Sequence, residues 1–180
     1  MVFPANFVPP LVTITPYSME SLGCELYNHN GISLNSLNHI LWPTANLAIF
    51  VPFSISVTSK IVKAFILNGD TVSGNVDIGI YSADGTKIVS MGSTAMSGSN
   101  ALQEFDIADT VLAPGTYYMA MSCSTTGASF QAVTFGSATR LRLMGMVQAA
   151  SQLPLANAPT FAAISNDYLP MFGLTTRTVI

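Results

Sequence analysis

Charge is what this sequence has least of. Asp, Glu, Lys and Arg make up 8% of the chain, against about 25% in an ordinary soluble domain. No ionised side chain occurs from Asn30 to Ser59, or again from Leu143 to Asn166. A dispersed monomer keeps a denser surface of mixed charge, so lipid or other protein subunits are expected to cover part of this one. The six bases, Lys60, Lys63, Lys87, Arg140, Arg142 and Arg177, are scattered. Sequence-independent nucleic-acid binding needs them clustered, which excludes nucleic acid as an expected partner.

Other scarcities narrow the classes further. Cys24 and Cys123 are the only cysteines. Their types allow one disulfide, and two small buried hydrophobes are the plainer reading. The opening MVFPANFVPPLVTITP has no basic start, and its prolines interrupt the apolar run, so it does not read as a secretory signal. Ile40–Val57 comes nearest to a membrane span in length. Pro43 and Pro52 would break the helix, and its β-branched alternation favours a strand, so no membrane is expected. Neither G-x-S-x-G nor a Walker loop occurs.

What is present is a chain of 180 residues with 13 Gly and 10 Pro. That is enough for one domain with a two-layer core, many turns and few long helices. Residues 1–41 carry Pro4, Pro9, Pro10 and Pro16 and lack periodicity, which predicts an extended N-terminal arm. From Leu47 a period of two begins. Leu47, Ile49, Val51, Phe53, Ile55 and Val57 share one strand face, and Pro52 on the other suggests an edge or a bulge. KIVKAFIL over 60–67 is the next strand, closed by Asn68-Gly-Asp. Val76, Ile78 and Ile80 point one way, and Asp84-Gly85 turns the chain into a hairpin through 86–91. Leu102–Ile107 is a short strand with Phe105 and Ile107 inward, and Pro114-Gly115 suits a type II turn.

The strand 116–123 stands out. Tyr117, Met119, Met121 and Cys123 share one face, and Tyr118, Ala120 and Ser122 the other, both nearly apolar. It is expected to be central, with a second layer, a neighbouring subunit, against Tyr118 and Ala120. Further strands are expected near 129–135 and 140–147. After Gln148 the pattern is lost. Pro154, Pro159 and Pro170 divide an apolar tail, which is expected to lie on a neighbour. The predicted organisation is an N-terminal arm over 1–41, an all-β antiparallel jelly-roll-like sandwich over 42–148, and an extended C-terminal tail over 149–180. Phe3, Phe7, Tyr118, Phe161, Tyr168 and Phe172 are the candidate contacts with other subunits.

Groups that could carry chemistry are few. Glu104 and Asp106 share a strand face, with Asp109 nearby; a carboxylate pair could serve a glycosidase or Ca²⁺, and a solvated strand face is the plainer reading. His29 and His39 could be zinc ligands, but no acid or cysteine pattern accompanies them. Trp42, Tyr17, Tyr27 and Tyr81 could stack on sugars, although core or subunit packing suits them better. Gly74 and Gly79, inside a strand region, suggest bulges or close packing. No catalytic set, metal site or cofactor is expected.

The run from Gly74 to Lys87, GNVDIGIYSADGTK, followed by LAPGTYYMAMS from Leu112, resembles a pair of segments in small virion proteins of tailed bacteriophages. Trp42-Pro43, Val51-Pro52-Phe53 and the ending from Leu169, LPMFGL, fit that pattern. The likeness covers much of 42–123 and the last dozen residues. It implies a structural, non-enzymatic role in a particle assembled in the bacterial cytoplasm. The expected function is a capsid cement or decoration protein, a homo-oligomer and in particular a trimer, seated on other virion proteins such as the major capsid protein. The alternative is a tail-fibre or receptor-binding module for host glycans, and a third reading is a glycan hydrolase.

Overall fold

A computed structural model describes residues 26–27 and 38–178. The protein is all-β; the described residues form antiparallel sheets and one short helix. The strands are β1 (Leu26–Tyr27), β2 (Asn38–Leu41), β3 (Ala48–Ile55), β4 (Ser59–Leu67), β5 (Asn75–Ser82), β6 (Lys87–Ser90) and β7 (Thr94–Ala95). They continue with β8 (Leu102–Leu112), β9 (Gly115–Cys123), β10 (Ser129–Thr134), the helix α1 (Ala138–Leu143), β11 (Val147–Ala149), β12 (Ala162–Ala163), β13 (Tyr168–Pro170) and β14 (Phe172–Thr178).

One sheet runs β12-β11-β3-β9-β5-β6, with β7 also on β5; a second runs β1-β14-β4-β8; a third, smaller one runs β13-β10-β2. The first two turn their apolar faces to each other. Ile49, Val51, Ile78, Ile80, Met119 and Met121 from one meet Ile61, Ile66, Phe105, Ile107, Phe172 and Leu174 from the other. That is a sandwich, and alternation puts the residues there: every second side chain of β3, β5 and β9 falls on this face. The smaller sheet adds Phe130 and Leu169 to the same core, and an isolated bridge from Asn68 to Phe130 ties it to the end of β4. The observed strand order, rather than a jelly-roll label, describes the connectivity.

Strand β9 is central, between β3 and β5 over almost its whole length. Pro52 lies where β3 has lost one neighbour: β11 pairs only with Ala48 to Phe50, while β9 continues to Ile55. A proline is tolerated on such an edge because it has no N–H to leave unpaired.

Three expectations are corrected. Gly115 does not take a left-handed turn conformation; it opens β9, and the chain there passes from the second sheet into the first. The segment expected as a strand near 140–147 begins as helix α1. Ser137 caps it, its hydroxyl accepting from the Thr139 N–H at 3.2 Å, and the short helix buries Leu141. The segment expected as an external tail over 149–180 is, through its described residues to 178, part of the fold. Its β13 pairs with β10, and its β14 lies between β1 and β4 with Phe172 opposite Ile66.

Candidate functional site

Two of the three acids of β8, Asp106 and Asp109, are paired with lysines of β4. Lys60 Nζ lies 2.6 Å from Asp109 Oδ2, and Lys63 Nζ lies 3.3 Å from Asp106 Oδ1. Glu104 and Asp106 are exposed on a strand face. This is a solvated ladder of ion pairs, and no group of three or more His, Cys, Asp and Glu converges anywhere among the described residues. Cys123 is a buried free thiol, its burial pushing the thiol's pKa upward; Cys24 and His29 lie outside the described residues.

Among the described residues serine, histidine and aspartate meet at one place, in an order that does not activate a nucleophile. Ser129 Oγ donates to Asp70 Oδ1 at 2.8 Å, and His39 Nδ1 sits 3.5 Å from the other carboxylate oxygen. Asp70 stands between the two, whereas a nucleophilic hydroxyl needs the imidazole beside it. The Thr71 N–H donates to Ser129 Oγ at 2.9 Å, so the hydroxyl clamps the turn after β4 onto β10. The Ser129 hydrogen bond is also the main reason Asp70 is held below the usual carboxylate range.

A buried polar cluster lies on the outer face of the first sheet, roofed by an irregular strap of residues 150–161. Phe50, Tyr81, Ala120, Ala149 and Leu155 are buried there, with Tyr118, Val147 and Phe161 packed against them. The Phe161 ring meets Phe50 at 4.9 Å and Tyr118 at 5.6 Å between centroids. A strap without regular structure cannot satisfy its own backbone groups, so side chains of the sheet do it. The Leu155 N–H donates to Asp77 Oδ2 at 2.9 Å, and Lys87 Nζ donates to the Leu155 carbonyl at 2.7 Å. The Tyr81 hydroxyl donates to the Ala156 carbonyl at 2.7 Å. Gln152 Oε1 accepts from the Ala156 N–H at 3.1 Å, and the Lys87 N–H donates to the Asn157 carbonyl at 2.8 Å.

Close approach of the strap depends on two glycines. A Cβ on Gly79 would stand 2.8 Å from the Val89 carbonyl and 2.9 Å from Leu155 Cδ1. Gly85 has φ +87°, and a Cβ there would meet the Phe161 ring at 2.9 Å. The close packing expected at Gly79 is thus packing against the strap and β6.

Asp77 and Ser122 face each other across β5 and β9, both fully buried. Asp77 Oδ1 and Ser122 Oγ have no hydrogen-bond partner among the described residues. Burial pushes the Asp77 carboxyl above its ordinary range; the Leu155 and Gly92 amides, Lys87 and Ser90 oppose that shift without cancelling it.

The residues expected at subunit contacts are distributed differently. Tyr118 and Phe161 are half-buried against each other within one chain, so the layer over Tyr118 and Ala120 is the chain's own strap rather than a neighbouring subunit. Tyr168 is half-buried, and its hydroxyl donates to the Leu41 carbonyl at 2.7 Å, tying β13 to β2. Phe172 is sealed in the main core, so it is unavailable to a neighbour. Phe3 and Phe7 lie outside the described residues. Of the possible sugar platforms, Trp42 and Tyr81 are buried; Trp42 packs edge-on against Phe130 at 5.4 Å. Tyr17 also falls outside the described residues. The strap cluster was missed because Asp77 and Lys87 lie about 70 residues before the strap, and their only sequence signal is a lone acid inside an apolar strand.

The exposed surface carries large apolar side chains: Leu143 is 84% exposed, Val57 and Val111 58%, and Leu41 56%. No helix among the described residues is long and apolar enough to cross a membrane. No family model, curated protein or solved structure matches the chain.

Proposed function

We propose that this chain is a structural protein of a bacteriophage particle, a cement or decoration protein that stabilises the capsid through apolar contacts. It works as a homo-oligomer, a trimer, seated on the major capsid protein in the virion. The observation that carries this reading is the surface: Leu143, Val57, Val111 and Leu41 stand exposed on a chain with 8% charge. Covering such side chains contributes about 25 cal/mol per Å² of apolar area, before the ordering costs of association. The resemblance of 74–87 and 112–122 to phage virion segments supports the same reading. The glycan-binding alternative draws no support from Trp42 and Tyr81, because both are enclosed in the fold.

The test is quantitative mass spectrometry of purified particles from the phage that encodes the chain, paired with light scattering of the isolated protein. Hundreds of copies per particle and a trimer or larger in solution are expected. A few copies confined to the tail, or a stable monomer at micromolar concentration that does not bind capsids, would overturn the proposal.

A further inference from the structure

The strap 150–161 covers an aromatic face and is held to it by a buried carboxyl group. Asp77 receives one hydrogen bond from the strap, the Leu155 N–H on Oδ2, while Oδ1 has no hydrogen bond of good geometry and the Gly92 amide and Ser90 only partly offset the carboxyl's burial. An ionised carboxylate out of water needs several donors to keep its charge. The groups facing Asp77 come from its own strand, from β6 and the Gly92 amide just after it, from β9 and from the strap. Tyr81, on its own strand, is neutral with its pKa pushed further up; Lys87 and Ser90 come from β6; the neutral Ser122 comes from β9. The strap adds neutral Gln152 and its own amides. The nearby cation, Lys87, is already engaged with the Leu155 carbonyl.

We propose that the strap is a proton-controlled latch: it lies closed on the sheet while the Asp77 carboxyl is neutral, and loss of that proton lifts it and uncovers Phe50, Tyr81 and Tyr118. The sign follows from where water is. With the strap closed, ionisation places a charge among Leu155, Tyr81 and an unsatisfied Ser122 hydroxyl. With the strap open, water solvates the same charge. Asp77 therefore loses its proton more readily in the open state than in the closed one. The closed state is fully favoured below the ordinary Asp pKa and loses ground as pH rises through the elevated value. Gly79 keeps the contact tight enough to exclude water, since any side chain there would prop up Leu155. The inference rests on the strap's own contacts and does not depend on the proposed place in a virion.

Amide hydrogen exchange at Leu155 and Ala156, corrected for the intrinsic pH dependence of exchange, reads the latch directly. Between about pH 4 and about pH 8, their protection factors are expected to fall about tenfold or more in the wild-type protein, while amides of β9 stay protected. In Asp77→Asn the protection is expected to be flat with pH. The wild-type protein alone also decides the matter if that variant does not fold. The ¹³C shift of the Asp77 carboxyl reports its titration, and its midpoint is expected to coincide with the loss of Leu155 protection. Protection independent of pH, the same pH dependence in Asp77→Asn, or separate midpoints for carboxyl and latch would each overturn the proposal.

Discussion

The two faces of strand β9 are both covered, by different means and with different chemistry. On the inner face Met119, Met121 and Cys123 meet the apolar side chains of the opposite sheet. On the outer face Ala120 and Tyr118 meet the strap, and the buried set there includes Asp77, Ser122 and Gln152. A sheet that packs on a sheet meets backbone groups already paired in their own ladder, so its face can be wholly apolar. A sheet that packs on irregular chain must supply donors and acceptors to that chain. Asp77, Tyr81 and Lys87 are polar because Leu155 and Ala156 have backbone groups that no ladder satisfies.

The contrast can be broken most strongly on the dry side. Met119→Ala is expected to cost about 2–5 kcal/mol, read as a shift in urea midpoint, since it leaves a cavity between two sheets that cannot collapse. On the strap side, Gly79→Ala should cost about 1–3 kcal/mol by overpacking against the Val89 carbonyl and Leu155, with exchange at Leu155 rising before global unfolding. Tyr81→Phe keeps the ring and removes the hydrogen bond to the Ala156 carbonyl. About 1 kcal/mol is expected, and equal losses in Tyr81→Phe and Met119→Ala would erase the distinction between the faces. The smallest effect belongs to neither face. Lys63→Ala breaks an exposed pair with Asp106 and should change thermal stability by less than about 0.5 kcal/mol.

Much of the sandwich was legible because its signals are local. The hairpin through Asp84-Gly85 joins β5 to β6, with Ile80 opposite Val89 and Gly79 opposite Ser90, and both the alternation and the turn sit within one short stretch. The burial of both faces of 116–123 was equally legible from composition, although it is complete only from Met119 to Cys123, with Thr116 exposed and Tyr117 and Tyr118 half-buried. What covers the second face was not. An apolar, proline-broken segment reads the same whether it folds onto its own chain or onto another, and only the placement of Leu155 and Phe161 decides it. Helix α1 was misread for a smaller reason: Arg-Leu-Arg-Leu alternates like a strand, and the deciding feature is the cap at Ser137. The candidate site was legible only in Gly79 as a point of close packing. The partnership of Asp77 with Leu155 depends on a long-range return of the chain that no local pattern encodes.

The position of β14 sets an order of events. It lies between β1 and β4, and its Phe172 pairs with Ile66, roughly a hundred residues earlier in the chain. During synthesis β4 can take up β8 on one side soon after both have emerged, but its other side stays open until β14 has left the ribosome. For that interval a strand containing Ile61, Phe65 and Ile66 presents a bare edge to whatever is nearby, including other nascent copies of itself. Closure by so distant a partner is slow. Crowding of ribosomes on one message is therefore the condition under which this protein is most exposed to misassembly, and slower initiation should raise the yield of folded chains.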